Sequence, residues 1–166
     1  PWFAPAGFNR GALNNVLNTE IRLNTEDRNT LYEARINPIA SFPTGPFVIF
    51  GQKTLQKKKS ALDRVNVRRM LLEVKRIVSE AANRIVFEQN TPSTRARFIA
   101  NVTPALSNIQ VQQGIDQFKV VMDASNNTQN DIENNKLNGR IILVPTRAIE
   151  FIAMDFIITN SGVSFE

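Results

Sequence analysis

Between positions 63 and 88 the chain reads DRVNVRRMLLEVKRIVSEAANRIVFE, with apolar residues at 67, 70, 71, 74, 77, 78, 81 and 85. At about 100° per residue this spacing gathers them on one arc of a helix. A helix so patterned must bury that arc, so the rest of the chain has to supply a core for it. Ser60 or Asp63 is placed to cap its start. The opposite arc carries Arg69, Glu73, Arg76, Glu80 and Arg84, where 69/73, 76/80 and 80/84 form i,i+4 pairs of opposite sign. A third strip, Arg64, Arg68 and Lys75, has no acid beside it on the helix and is continued by Ala82 and Val86. Those three residues are either a solvated strip whose charges do nothing or an anion-seeking contact line.

The chain's 166 residues, 42% of them apolar, are enough for one domain with a hydrophobic core. It is read as a single domain over 1–166: a loop-rich lead-in over 1–40, a core over 41–159 and a C-terminal arm over 160–166. Because it opens on Pro1, with no leader pattern, it is taken as a piece of a longer polypeptide. The absence of cysteine and histidine removes disulfides, zinc-finger ligation, Cys or His nucleophiles and the neutral-pH proton shuttle. No cofactor, no metal and no catalysis are expected. The most apolar stretch, FIAMDFIIT, is short and broken by Asp155, so no membrane insertion is expected. Of the net charge of +5, the segment from Lys53 to Arg76 alone contributes +7, so the basicity is a patch.

A second helix is expected from Pro92 with Thr91 as its cap, kinked at Pro104 or restarted there by Thr103, and ended by Gly114. PFVIFG over 46–51 reads as a buried strand. Three further strand candidates are 117–123, 140–145 and 149–159, the last two close enough for a hairpin, with the Asn-rich segment between the first two as a polar loop. The fold class is therefore α+β: a mixed, mainly antiparallel sheet packed with a long amphipathic helix and a second helical segment.

Several motifs fail on chemistry. GPFVIFGQKT has the wrong glycine spacing and an apolar interior for a phosphate loop. DASNNTQNDIEN offers Asp123, Asn127, Asp131 and Glu133 but lacks the central glycine and terminal glutamate of a calcium loop, so Asx turns are the better reading. Lys57, Lys58 and Lys59 have no interleaved aromatic residues to stack on bases. A nucleic-acid-binding module using the Lys53–Arg76 patch is the alternative reading, and it requires sequence-independent binding with a steep salt dependence.

Taken in order, PWFAPAGFNRGAL, LYEARINPI, FVIFGQKTL, DRVNVRRMLLEVKRIVSEAANRIVFEQNT, VVMDASNNTQNDIENNKLNGRIILVPTRAIEFI and DFIITNSGVSFE resemble the C-terminal region of tail sheath proteins of contractile-tailed bacteriophages. The likeness is to the T-even type and, more distantly, to the sheaths of R-type pyocins and type VI secretion. Phe50 and Gln52 stand where that family usually carries Trp and Arg, and Phe50 is expected to keep the apolar filling. The resemblance implies a non-enzymatic subunit of hexameric rings stacked around a tail tube, bounded by baseplate and terminator proteins. Such rings contract to drive the tube through the host envelope for genome ejection. It implies an inner domain facing the tube, a virion location after assembly in the host cytoplasm, and no nucleic acid partner. On that basis Arg64, Arg68 and Lys75 become tube-contact candidates. Phe156, Ile157, Ile158, Thr159, Val163 and Phe165 become candidates for strand exchange between subunits.

Overall fold

A computed structural model describes residues 1–43 and 45–154. In chain order its elements are α1 (Thr25–Glu33), β1 (Ile39–Ala40), β2 (Val48–Ile49), a 3-10 turn (Ala61–Asp63), α2 (Val65–Asn83), α3 (Pro92–Val111), β3 (Ile115–Val121), α4 (Gln129–Glu133) and β4 (Arg140–Pro145). β1 pairs with β2 and β3 with β4, both antiparallel, in two separate two-stranded sheets. The α+β class holds.

The core forms where α2, α3 and the β3–β4 hairpin meet. α2 buries Val67, Met70 and Val74, α3 buries Phe98, Val102, Leu106 and Ile109, and the hairpin adds Ile115, with Met122 just beyond β3. Ile77, Val78, Ala81 and Ile85 pack against this cluster, so most of the arc read from the sequence faces inward. Ala82, assigned by angle to the charged strip, also packs on the core.

The caps differ from expectation in one place. Ser60 caps the 3-10 turn by accepting from Leu62 N, and Arg64 occupies the N-cap of α2 without a side-chain bond. Neither Ser60 nor Asp63 caps the long helix itself. α3 begins as expected, with the Thr91 side chain accepting from Thr94 N and Pro92 in the first turn.

Pro104 does not restart α3, which runs unbroken past it. Both Pro104 and Ala100, whose carbonyl loses its helical donor, are exposed, so water can satisfy that oxygen. The helix ends in a Schellman arrangement: Gly114 N donates to Ile109 O (2.9 Å) and Gln113 N to Gln110 O (2.9 Å). Gln113 takes the left-handed position at φ 62°, where a glycine is more usual. Gly114 is required for a different reason. A Cβ there would lie 2.7 Å from both Ile109 Cγ2 and Trp2 Cγ, and Trp2 Nε1 donates to Gln112 O (2.9 Å). The first residues of the chain are thus fastened to the end of α3.

Of the strand readings, 140–145 is met and 117–123 shifts to Ile115–Val121, whereas 46–51 shrinks and 149–159 forms no strand over 149–154, its remainder lying outside the described residues. Within 46–51 only Val48–Ile49 is strand; Val48 is fully buried, whereas Phe50 is exposed and stands with Phe8 and Phe42 in a surface aromatic cluster. Phe50 therefore does not fill the core. Residues 7–13, read as lead-in loop, flank β2 on the side away from β1, with Ile49 N donating to Gly11 O (2.8 Å) and Leu13 N to Phe47 O (2.8 Å). β4 registers against β3, from Val121↔Arg140 to Ile115↔Pro145 with a bulge between Ile115 and Gln117, and residues 149–154 form no strand.

The Asn-rich connection is built from the turns expected of it. Asp123 Oδ1 accepts from Ser125 N (2.8 Å), and Thr128 and Asp131 form a capping box at α4. Asn127, itself buried, donates to Asn138 O (2.9 Å) and accepts from Asn138 N (2.6 Å), closing the loop.

Gly114→Ala should lower unfolding free energy by about 1–3 kcal/mol through overpacking. Urea denaturation measures the loss, and the emission of Trp2, the single tryptophan, should shift to the red as its ring is displaced.

Candidate functional site

Arg64 ends the 3-10 turn and precedes α2, and its position is set by backbone pairing. Lys53 and Arg64 form an antiparallel bridge, with Val65 N donating to Gln52 O (2.8 Å) and Thr54 N to Asp63 O (3.0 Å). The same neighbourhood receives α1. Lys53 Nζ donates to the carbonyl of Tyr32 (2.7 Å) and lies 3.7 Å from the centre of its ring, which supplies the C-terminal turn of α1 with the cation its own sequence lacks. Asn37 locks the other side of Lys53, donating to its carbonyl (2.9 Å) and accepting from its N–H (2.8 Å). Gly51 permits this closeness, since a Cβ there would meet Asn37 Oδ1 at 2.9 Å and the Tyr32 ring at 3.2 Å.

Into this frame comes Glu150. Its two carboxylate oxygens accept from Arg64 Nε (2.6 Å), Arg64 Nη2 (2.9 Å), the Tyr32 hydroxyl (2.8 Å) and Gln52 Nε2 (3.3 Å). A carboxylate offers about four lone-pair positions, so all are used, and the Arg64 contact is a two-pronged fork. The Glu150 side chain is 17% exposed and that of Arg64 28%.

The electrostatics follow from burial and partners. Burial pushes the Glu150 carboxyl upward, but the bonds from Arg64 and Tyr32 outweigh it and hold it below the usual carboxylate range. Burial, followed by the bond to Glu150, pushes the Tyr32 phenol up to about 12. Burial and the nearby Arg64 and Arg35 guanidiniums lower Lys53. Beside the junction lies a cleft of about 270 Å³, bordered by Tyr32, Phe50, Gln52, Ile149 and Phe151. Among the described residues Glu150 is the one acid on its lining, and its lone pairs are already occupied.

The strip of three cations is corrected by this geometry. Arg64 is not unpaired: Glu150, 86 residues away, supplies the acid that its own helix does not, and Asp63 lies 3.3 Å from Nη1. Arg68 and Lys75 are exposed on α2, and among the described residues neither has an ion-pair partner. Seven residues apart, they share one helix face about 10 Å long. On the opposite arc Arg76 takes both Glu73 (2.7 Å) and Glu80, replacing the expected 69/73 and 80/84 pairs. The strand-exchange candidates Phe156, Ile157, Ile158, Thr159, Val163 and Phe165 lie outside the described residues.

Sequence reasoning missed Tyr32, Gln52 and Glu150 as a group. Two signals were present. Each lies in a different one of the segments LYEARINPI, FVIFGQKTL and VPTRAIEFI, and Glu150 is the sole acid between Glu133 and Asp155. Gln52 is a buried member of the junction, and its bond is the longest of the four.

A family model described as the phage tail sheath C-terminal domain matches residues 57–159. The chain is 38% identical over 165 residues to the tail sheath protein of Vibrio phage KVP40 and 32% identical over 165 residues to that of Enterobacteria phage T4. Each alignment covers 99% of this chain and 25% of the relative, so the chain spans about a quarter of those proteins' length. In solved structures the fold is similar to a chain of the anti-feeding prophage baseplate, with TM-score 0.85 and 25% identity over 95% of this chain and 45% of that one. It is equally similar, TM-score 0.85, to a chain of the PVC sheath complex, an extracellular contractile injection system in the contracted state, at 27% identity over 93% of this chain and 45% of that one.

The junction sets a pH window. Glu150 titrates lower in the folded state than in the unfolded one, so its contribution is complete above about pH 5 and is lost as pH falls through its lowered value. Tyr32 titrates higher when folded, so its contribution is present below about pH 10 and is lost as pH rises through about 12. Glu150→Gln should cost about 2 kcal/mol at neutral pH, less than the roughly 3–5 kcal/mol of breaking a fully buried pair, because Arg64 stays partly in water. In thermal melts the gap between wild type and Glu150→Gln should be constant from pH 6 to 9 and narrow progressively as pH falls below about 5.

Proposed function

The chain belongs to the phage tail sheath C-terminal domain family, and from that premise we propose that it is the inner, tube-facing part of a contractile tail sheath subunit. It acts as a structural element of the virion with no catalytic role. Copies polymerise in stacked rings around a tail tube between baseplate and terminator, and contract to drive the tube through the host envelope. The observation that carries this is similarity over almost the whole chain to tail sheath proteins, at 30–38% identity. The likeness in fold to chains of contractile injection particles supports it.

Arg68 and Lys75 are the proposed contacts with an acidic tube. With Arg64 engaged by Glu150, the contact line shortens to these two. An exposed charge pair contributes only about 0–1 kcal/mol. One subunit therefore grips weakly, many repeated subunits hold the extended sheath, and contraction can release them ring by ring. Residues 156–159, 163 and 165 are the proposed strand that adds to a neighbour's sheet edge, where backbone hydrogen bonds tolerate large rigid-body rotation.

Arg68→Glu with Lys75→Glu in the intact polypeptide should abolish docking on purified tubes at moderate salt while leaving the melting temperature near wild type; unchanged docking would remove the strip from the mechanism. Deleting 160–166 should give folded protein that forms no connected sheath in electron micrographs. Ordinary striated tubules from the truncated chain would eliminate strand exchange.

A further inference from the structure

We infer that Leu72 is the apolar centre of the tube contact, so that the surface it fits is an apolar socket rimmed by carboxylates rather than a uniformly acidic face. This rests on the proposal that Arg68 and Lys75 meet the tube.

Leu72 lies on α2 but takes no part in the core, where the same helix buries Val67, Met70 and Val74, and it is 52% exposed. A single exposed leucine is ordinary. Its surroundings are not. On a helix surface a residue's neighbours stand three and four positions away. For Leu72 these are Arg68, Arg69, Lys75 and Arg76, all basic and all exposed. Arg76 is occupied by Glu73 and Glu80. Among the described residues Arg68, Arg69 and Lys75 have no ion-pair partner.

Such a cluster suits one kind of partner. The methylene stems of arginine and lysine lie along neighbouring apolar surface while their heads reach water, so on docking the stems can extend the leucine into an apolar floor with charges at its edge. That is the layout of an interface anchor: an apolar group at the centre and a polar rim that excludes water around it. The two parts act differently. The cations draw the subunit to an acidic surface and are screened by salt. Contact with Leu72 removes apolar area from water and is not screened. A nucleic-acid backbone answers the cations with phosphates but leaves the leucine in water. A tube surface built of protein supplies both carboxylates and an apolar socket. The repeated grip then has a part that salt does not weaken, which exposed ion pairs alone do not provide.

The test is docking of the intact polypeptide on purified tubes across a salt series, with Leu72→Gln and Leu72→Met as variants. Both place a good helix former at an exposed position, so melting temperatures should stay near wild type. Leu72→Gln should raise the concentration for half-maximal docking about tenfold with the salt dependence unchanged. Leu72→Met, which keeps the apolar volume, should dock close to wild type. In sedimentation without tubes both variants should self-assemble as wild type does. Wild-type docking by Leu72→Gln, while Arg68→Glu with Lys75→Glu still blocks it, would overturn the anchor and leave the charged contact in place. Equal losses from the glutamine and methionine variants would also overturn it. So would a loss of self-assembly without tubes, which would place Leu72 between copies of the chain. Normal docking by the charge-reversal variant would remove the tube contact and the anchor with it.

Discussion

One carboxylate ties together several pieces of this chain that lie outside its core. Glu150 accepts from Arg64, Tyr32 and Gln52, and through them the C-terminal run is fastened to α1, to the exit of β2 and to the start of α2. None of these pieces is stable alone. α1 has nine residues and none of them is buried, and the β1–β2 sheet is two residues long, so neither helix propensity nor strand pairing could hold it. Their order comes from being tied to one another and to α2, which is anchored in the core by Val67, Met70 and Val74.

α2 therefore carries two kinds of charge with opposite physical character. At its N-terminus Arg64 is partly withdrawn from water and held by a fork of hydrogen bonds, so removing its partner is costly. Further along, Arg68 and Lys75 stand in water, where any ion pair they make is weak and screened by salt. Under the sheath reading these roles are complementary. A machine that must stay connected while its parts rotate needs durable attachment of the linking segment to its own core. It also needs contacts with the tube that break without a large barrier.

The two long helices were legible because their signals are local, whereas α1 and α4 lie in segments read as loop. The 3.6-residue recurrence of apolar positions marks α2, and Thr91 with Pro92 marks the start of α3 within one turn. The strands were less so. Pairing between residues 7–13 and β2, or between β3 and β4, depends on partners that no short window contains. The 149–159 segment has strand-like composition, yet its described part serves to carry Glu150 inward. Arg64 looked unpaired for the same reason. A helical wheel sees neighbours three and four residues away, whereas its acid lies 86 residues on. The resemblance of the segments to a known family located every member of the junction but not their meeting, since collinear motifs carry no information about which side chains touch.

Hydrogen exchange with and without Glu150→Gln tests the organising role of this carboxylate most directly. The account predicts that the substitution lowers protection together in residues 25–33, 48–54, 64–68 and 146–152, while α3 and the β3–β4 hairpin stay as they were. Loss of protection confined to 146–152, with the other three segments unchanged, would contradict it.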